Sequence, residues 1–104
     1  MTITLGILTF SNPSKSPYMT NVAQYSLQWN VQVYCFSPTQ IFLGKNELRG
    51  FTFCKETHSW KRSHFPLPSF IYDRLYYSSS IQRRAYSEKI NWLKNNRKTT
   101  FLGC

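Results

Sequence analysis

The first 36 residues contain two apolar runs separated by one amphipathic segment. Residues 3–10 form a nearly continuous apolar run with β-branched side chains, and this run ends at the turn-rich residues 11–14. Such a run is typical of a strand that is buried on both faces. Val31–Phe36 has the same character and stops at Ser37 and Pro38. Two strands are therefore predicted at these positions.

The segment between the two runs predicts a helix over residues 17–30. Ser16 is suited to the N-cap, and Pro17 is suited to the first helical position. At about 100° per residue, six apolar side chains share one arc. They are Tyr18, Met19, Val22, Ala23, Tyr25 and Trp29. A strand, a helix and a strand in this order predict a right-handed βαβ unit with a parallel strand pair.

The middle of the chain predicts a β-hairpin or a meander. Short apolar stretches at residues 41–43 and 48–54, and a polar stretch reaching Trp60, surround Gly44 and Gly50. A Phe-Pro-Leu-Pro connector at residues 65–68 then leads to a short apolar strand, residues 70–72, which ends at Asp73 and Arg74.

A second amphipathic helix is predicted over residues 81–95, after three serines that can cap it. Its apolar half consists of Ile81, Ala85, Tyr86, Ile90, Trp92 and Leu93. Residues 99–104 resemble the beginning of a further strand, which we expect the chain to leave incomplete. The prediction is one small Rossmann-like α/β domain over residues 1–104, with two or three layers, a mostly parallel sheet, a hairpin insertion and two main helices.

The charge of the chain is strongly basic and lies mostly in its second half. There are 13 Lys and Arg against 4 Asp and Glu, and Lys15 is the only charged residue before Gly44. A basic surface attracts phosphates, nucleic acids or anionic membranes, or it is a solvated exterior that faces an acidic partner domain. Three cysteines without a close pair, and no signal or membrane-spanning segment, predict an intracellular protein with reduced thiols.

Motifs for common enzymatic chemistry are missing from the sequence. There is no glycine-rich phosphate loop, no G-x-S-x-G and no H-E-x-x-H, and the four carboxylates are scattered. Cys54, His58 and His64 have a spacing that invites a zinc site, but a fourth ligand is missing and the segment is basic. We reject that metal site, and we expect no catalytic residue in this chain.

Asp73 and Arg74 are the leading candidates for a functional site. They follow a predicted buried strand, so they lie at the carboxyl edge of the sheet, where open α/β sheets bind ligands. Thr9 and Ser11 follow the first strand at the same edge. An internal salt bridge or a capped turn at Asp73, and simple turn roles for Thr9 and Ser11, remain as structural alternatives.

A mixture of aromatic and basic residues provides the alternative function, a nucleic-acid-binding module. Rings can stack on bases along a positively charged groove. The residues concerned are Phe51, Phe53, Trp60, Lys61, Arg62, Tyr76 and Tyr77. Because these rings can equally serve as core or interface, this function is the less favoured of the two.

Three stretches resemble the YheC/YheD family, ATP-grasp-like proteins associated with the bacterial endospore coat. They are residues 5–9 (LGILT), residues 33–38 (VYCFSP) followed by Ile41, and Trp60 with residues 65–74 (FPLPSFIYDR). The resemblance implies an N-terminal pre-ATP-grasp domain and places Tyr72, Asp73 and Arg74 in a cleft-facing or interdomain role. A longer ATP-grasp region would follow and hold ATP and Mg, which we expect this chain to lack, and its fold class implies a carboxylate–amine ligase.

The same resemblance implies where such a chain acts and with what. The expected partners are the missing ATP-grasp domain or a coat protein, with self-association as a further option. The expected location is the mother-cell cytoplasm or the spore coat. On this interpretation the chain is a truncated, accessory and substrate-side piece of a larger protein and is inactive alone.

Overall fold

The computed structural model describes residues 3–102. The strands and helices are β1 (Ile3–Leu8), α1 (Pro17–Leu27), β2 (Val31–Phe36), β3 (Glu47–Cys54), β4 (Ser59–Pro66), β5 (Phe70–Asp73), α2 (Ser80–Lys94) and β6 (Thr100–Leu102). Short 3-10 helices at Pro13–Lys15 and Pro38–Gln40 follow β1 and β2.

One six-stranded sheet organises the described part of the chain, in the order β4-β3-β2-β1-β5-β6. β1 pairs in parallel with β2 and with β5, and β5 pairs in parallel with β6. β3 and β4 form an antiparallel hairpin that joins the sheet through β2. The predicted α/β class, βαβ opening, mostly parallel sheet and central hairpin are therefore confirmed.

The sheet has a separate hydrophobic core on each face. Side chains alternate between the faces along a strand, so neighbouring residues of β2 belong to different cores. Val33 and Cys35 pack in the core beneath α1, together with Ile7, Met19, Ala23 and Phe53. Phe36 packs in the core beneath α2, together with Leu8, Ile41, Leu48, Phe65, Leu67, Ile71, Ile90 and Leu93. The fold is thus the three-layer form of the two that were predicted.

Serine caps begin both helices at the predicted places. The Ser16 hydroxyl accepts a hydrogen bond from the Met19 N–H (3.2 Å), and the Ser79 hydroxyl accepts one from the Gln82 N–H (3.1 Å). α1 ends three residues before the predicted boundary, and Asn30 then adopts a left-handed φ of 57°. Neither described helix has the length and apolarity that crossing a membrane requires.

The stripe of each helix that packs on the sheet is narrower than the predicted apolar arc. On α1, Met19 and Ala23 are buried, whereas Tyr18 and Tyr25 are 50% and 62% exposed, and Trp29, which follows the helix, is 67% exposed. On α2, the buried residues Ile90 and Leu93 lie in the second half, whereas Ile81 is 78% exposed and Ala85 is also exposed. Helical periodicity finds the apolar side of a helix but not how much of that side a neighbour covers.

Several predicted strand boundaries differ from the structure, and β4 includes Phe65 and Pro66, which were predicted to belong to the connector. The strand expected at residues 41–43 is reduced to one bridge between Ile41 and Leu48, because the chain turns at Gly44 with φ +80°. The strand expected at residues 3–10 ends at Leu8, before the turn that follows. The predicted final strand is β6, while Gly103 and Cys104 lie outside the described residues.

Gly50 provides a test of the junction between the hairpin and the parallel strands. A Cβ atom at Gly50 would collide with the carbonyl oxygen of Cys35 and lie 3.1 Å from the Cβ of Phe36. We expect Gly50→Ala to lower the free energy of unfolding by roughly 3 kcal/mol, because backbone rather than a flexible side chain must yield. Urea unfolding measures the loss.

Gly44→Ala is the matched control for this substitution. Nothing lies within 4 Å of a Cβ atom at Gly44, so its expected cost is only the roughly 1 kcal/mol of its positive φ. Equal stability of the Gly50→Ala variant and the unmodified chain would contradict the close approach of β3 to β2.

Candidate functional site

The carboxyl ends of β1 and β5 form a topological switch point in the sheet. β1 leads through α1 to β2 on one side, and β5 leads through α2 to β6 on the other. Because the two helices cover opposite faces, the chain leaves these adjacent strand ends in opposite directions. Leu8 of β1 is paired with Asp73 of β5 at this edge. Open α/β sheets bind ligands in the crevice at such a point.

Arg74 lies at the switch point and is held there by β1 and by two aromatic rings. Its backbone N–H donates to the carbonyl oxygen of Leu8 (2.8 Å), which extends the pairing of β5 with β1 by one residue. Its guanidinium carbon lies 4.4 Å from the centre of the Tyr18 ring and 6.0 Å from that of Tyr76. Such cation–π contacts are worth about 1 kcal/mol each when partly exposed. The side chain is thus positioned without a carboxylate.

Asp73 has a local role in the turn that follows β5. Its Oδ1 accepts a hydrogen bond from the backbone N–H of Leu75 (2.9 Å), which closes a turn of the Asx type. Of the two structural alternatives, the turn is therefore present. Among residues 3–102 the one ion pair within 4.0 Å joins His64 to Glu47, so an Asp73–Arg74 salt bridge is not formed.

Tyr72 and Tyr77 lie on either side of Asp73 in the sequence and differ in their surroundings. The Tyr72 side chain is exposed on β5, and Tyr77 packs edge-on against Phe10 with their ring centres 5.8 Å apart. Burial raises the pKa of Tyr77, and the negative charge of Asp73 raises it further, while Arg83 lowers it. Its raised pKa keeps the Tyr77 phenol neutral at ordinary pH.

Thr9 and Ser11 lie on the other side of the end of β1. Thr9 is buried, its N–H donates to the carbonyl of Phe36 (2.9 Å), and its hydroxyl accepts a hydrogen bond from the Ser11 N–H (3.1 Å). Both residues line a cleft of about 220 Å³, whereas Asp73 and Arg74 do not. The structure thus brings all the predicted site residues to one sheet edge but divides them between two surfaces.

The cleft also contains residues that sequence reasoning did not select. Its lining comes from the ends of β1 and β2, from the two 3-10 helices and from the hairpin: Thr9, Phe10, Ser11, Asn12, Pro13, Cys35, Phe36, Ser37, Thr39, Gln40, Phe51 and Arg62. The guanidinium carbon of Arg62 lies 5.5 Å from the centre of the Phe51 ring. The signal that could have found Gln40 is its place three residues after Ser37, the spacing of a capping box.

The two cysteines and two histidines within residues 3–102 have separate contacts. The Cys54 thiol donates to a carboxylate oxygen of Glu56 (3.3 Å), and hydrogen bonds with Thr57 lower the pKa of Cys54. The His58 ring instead lies 3.4 Å from the amide of Gln24, and His64 contacts Glu47. Within residues 3–102, no three His, Cys, Asp or Glu side chains are placed to hold a metal ion.

Of the residues proposed for base stacking, Phe51 and Arg62 both line the cleft, whereas Phe53 and Trp60 have structural roles. Phe53 is buried in the core beneath α1, and the Trp60 ring packs edge-on against it at 5.1 Å. The Trp60 N–H donates to the hydroxyl of Thr20 on α1 (3.1 Å). These two rings therefore fasten the hairpin to α1.

The reactivity of the two described cysteines tests whether Cys35, which lines the cleft, is buried. Burial raises the pKa of Cys35 to about 12, so its thiolate fraction at pH 8 is on the order of 10⁻⁴. We expect iodoacetamide at pH 8 to alkylate Cys54 and to leave Cys35 unmodified until the chain is unfolded in urea. Peptide mapping by mass spectrometry measures both sites in one sample. Alkylation of Cys35 at the rate of Cys54 in the folded protein would contradict this burial.

The sequence of this chain is similar to that of a named protein. No family model matches the chain. The sequence is 24% identical over 101 residues to Endospore coat-associated protein YheC of Bacillus subtilis strain 168. This match covers 97% of the chain but spans only 28% of the length of YheC. The expected resemblance to the YheC/YheD family is confirmed by it.

Proposed function

From the relationship of this chain to YheC, we propose that it is a non-catalytic accessory domain of an ATP-grasp-like protein associated with the endospore coat. The name of YheC states an association with the endospore coat. The proposal extends to this chain a location at the coat or in the mother cell. It also assigns catalysis to the larger, unmatched part of such a protein.

The observation that best supports the accessory role is the environment of the Arg74 side chain at the switch point. Its guanidinium is fixed over Tyr18, and its Nε is buried without a hydrogen-bond partner among residues 3–102. A buried donor without a partner costs free energy, so a small shift of the side chain that brings this N–H to an acceptor of a neighbouring domain would be favourable. The surface formed by Arg74, Tyr18, Tyr72 and Tyr76, here called the Arg74 surface, therefore suits contact with a neighbouring domain or its substrate.

The described residues do not fit a Mg-ATP site, which favours placing nucleotide binding elsewhere. Magnesium in such sites is held by one or two carboxylates beside the phosphates. Here Asp73 closes its own turn, Glu47 contacts His64 and Glu56 accepts a hydrogen bond from Cys54. The proposal therefore gives this domain a positioning role.

Titration with Mg-ATP tests the non-catalytic assignment. A ligand present at 100 times its Kd stabilises the folded state by about 2.7 kcal/mol, which shifts the Tm of a domain of this size by several degrees. We expect no saturable Tm shift for this chain and a clear shift for full-length YheC in parallel. A saturable shift of the chain alone that inorganic phosphate does not reproduce at the same concentration and ionic strength would place the nucleotide site within it and contradict the proposal.

A chimera tests the role of the Arg74 surface. Replacing the aligned segment of YheC by this chain should give a protein that melts in one calorimetric transition, since a docked domain unfolds with its neighbour. Arg74→Ala should separate that transition into two, because aromatic and arginine side chains dominate interfaces. Arg84→Ala, which removes an exposed charge from α2, is the matched control. Identical melting of the two variants would show that the Arg74 surface does not form the contact.

A further inference from the structure

The cleft between the ends of β1 and β2 contains two amide side chains whose orientation is determined by their neighbours. In the first, Asn12 Oδ1 accepts hydrogen bonds from the N–H of Ser14 (3.0 Å) and from its hydroxyl (2.7 Å). Because a backbone N–H can only donate, the Asn12 atom that faces it must be the oxygen. The amide nitrogen of Asn12 is left without a partner among the described residues.

Gln40 repeats this arrangement on the opposite side of the cleft. Its Oε1 accepts hydrogen bonds from the N–H of Ser37 (2.9 Å) and from the Ser37 hydroxyl (3.4 Å). The same argument leaves the Gln40 amide nitrogen, with two N–H donors, free of protein partners in the described part of the chain. Both residues line the cleft, and their amide nitrogens are the donor atoms that they can offer to a ligand there.

Arg62 gives the cleft a positive charge. Its guanidinium is stacked on Phe51, and no carboxylate lies within ion-pair distance of it among residues 3–102. No Asp or Glu is among the residues that line the cleft. An arginine fork beside free amide donors is the arrangement that binds carboxylates and phosphates through charge-assisted hydrogen bonds.

We propose that this cleft is a binding site for a small anion, a carboxylate or a phosphate group, with Asn12, Gln40 and Arg62 as its donors. Its volume of about 220 Å³ equals roughly seven water molecules, at about 30 Å³ for each in the liquid. This space accommodates the anionic group and a few further atoms. The inference does not depend on the accessory role, because the Arg74 surface lies on the other side of the β1 end.

A matched pair of amide-to-carboxylate substitutions tests the site. Gln40→Glu keeps the oxygen that accepts from Ser37 and replaces the free N–H donors by a negative oxygen. Gln82→Glu makes the same change at α2, where Gln82 Oε1 accepts from the N–H (2.7 Å) and hydroxyl (3.1 Å) of Ser78. The two variants therefore have the same net charge and change a glutamine that accepts the same two kinds of hydrogen bond from a serine, and only the first alters the cleft.

The measurement is an NMR titration of the full chain with inorganic phosphate and, separately, with acetate, at constant ionic strength. We expect saturable shifts confined to the side-chain amides of Asn12 and Gln40, to the Arg62 side chain and to the backbone around residues 9–13, 37–40 and 62. Gln40→Glu should weaken binding at least about tenfold, as expected for loss of a charge-assisted hydrogen bond, and Gln82→Glu should leave it unchanged. The anion with the lower Kd identifies the group that the site prefers.

Three results would overturn the inference. They are shifts that do not saturate, equal binding by the Gln40→Glu variant and the unmodified chain, and equal weakening by both glutamate variants. If Gln40→Glu does not fold, Arg62→Gln replaces it, with Arg84→Gln as the charge-matched control, because both arginines are exposed. If the unmodified chain does not bind either anion, the chimera experiment still tests the accessory role. A failure of one proposal is therefore distinguishable from a failure of the other.

Discussion

The pairing of β1 with β2 and β5 is the interaction on which the rest of the structure depends. β1 is the strand that joins the two halves of the parallel part of the sheet, and its side chains reach both cores. Ile7 packs beneath α1, and its neighbour Leu8 packs beneath α2. A shift of β1 by one residue would exchange these two faces and expose apolar side chains. The register of β1 therefore determines where both helices lie.

The same pairing determines which groups meet at the carboxyl edge. The Thr9 N–H donates to the Phe36 carbonyl at the end of β2, and the Arg74 N–H donates to the Leu8 carbonyl at the end of β1. These bonds continue the two parallel ladders by one residue beyond the strands. As a result, both surfaces at the edge are built on backbone that the sheet already holds in place. A site on such a scaffold is more rigid than one on a free loop.

Local signals made most of the fold predictable, whereas the site depended on long-range packing. Apolar runs and helix caps are properties of a few neighbouring residues, so β1, β2 and both helices could be assigned from the sequence. The position of Arg74 at the carboxyl edge of the sheet could be predicted because it follows a strand. Its contact with Tyr18 joins residues that are far apart in the sequence, and no local pattern indicates it. Arg62 enters the cleft through the hairpin, whose position beside β2 is equally non-local.

The donor-rich character of the edge arises from the turns themselves. Thr9, Asn12, Gln40 and Asp73 each use a side-chain oxygen to accept a backbone N–H in the turns that follow β1, β2 and β5. These bonds satisfy backbone donors that the sheet no longer pairs, and each uses an acceptor oxygen of the side chain concerned. The side-chain N–H groups of the edge take no part in them, namely the amide nitrogens of Asn12 and Gln40 and the guanidinium groups of Arg62 and Arg74. The preference of this edge for acceptors and anions is therefore a consequence of turn closure, and the net charge of +9 reinforces it at long range.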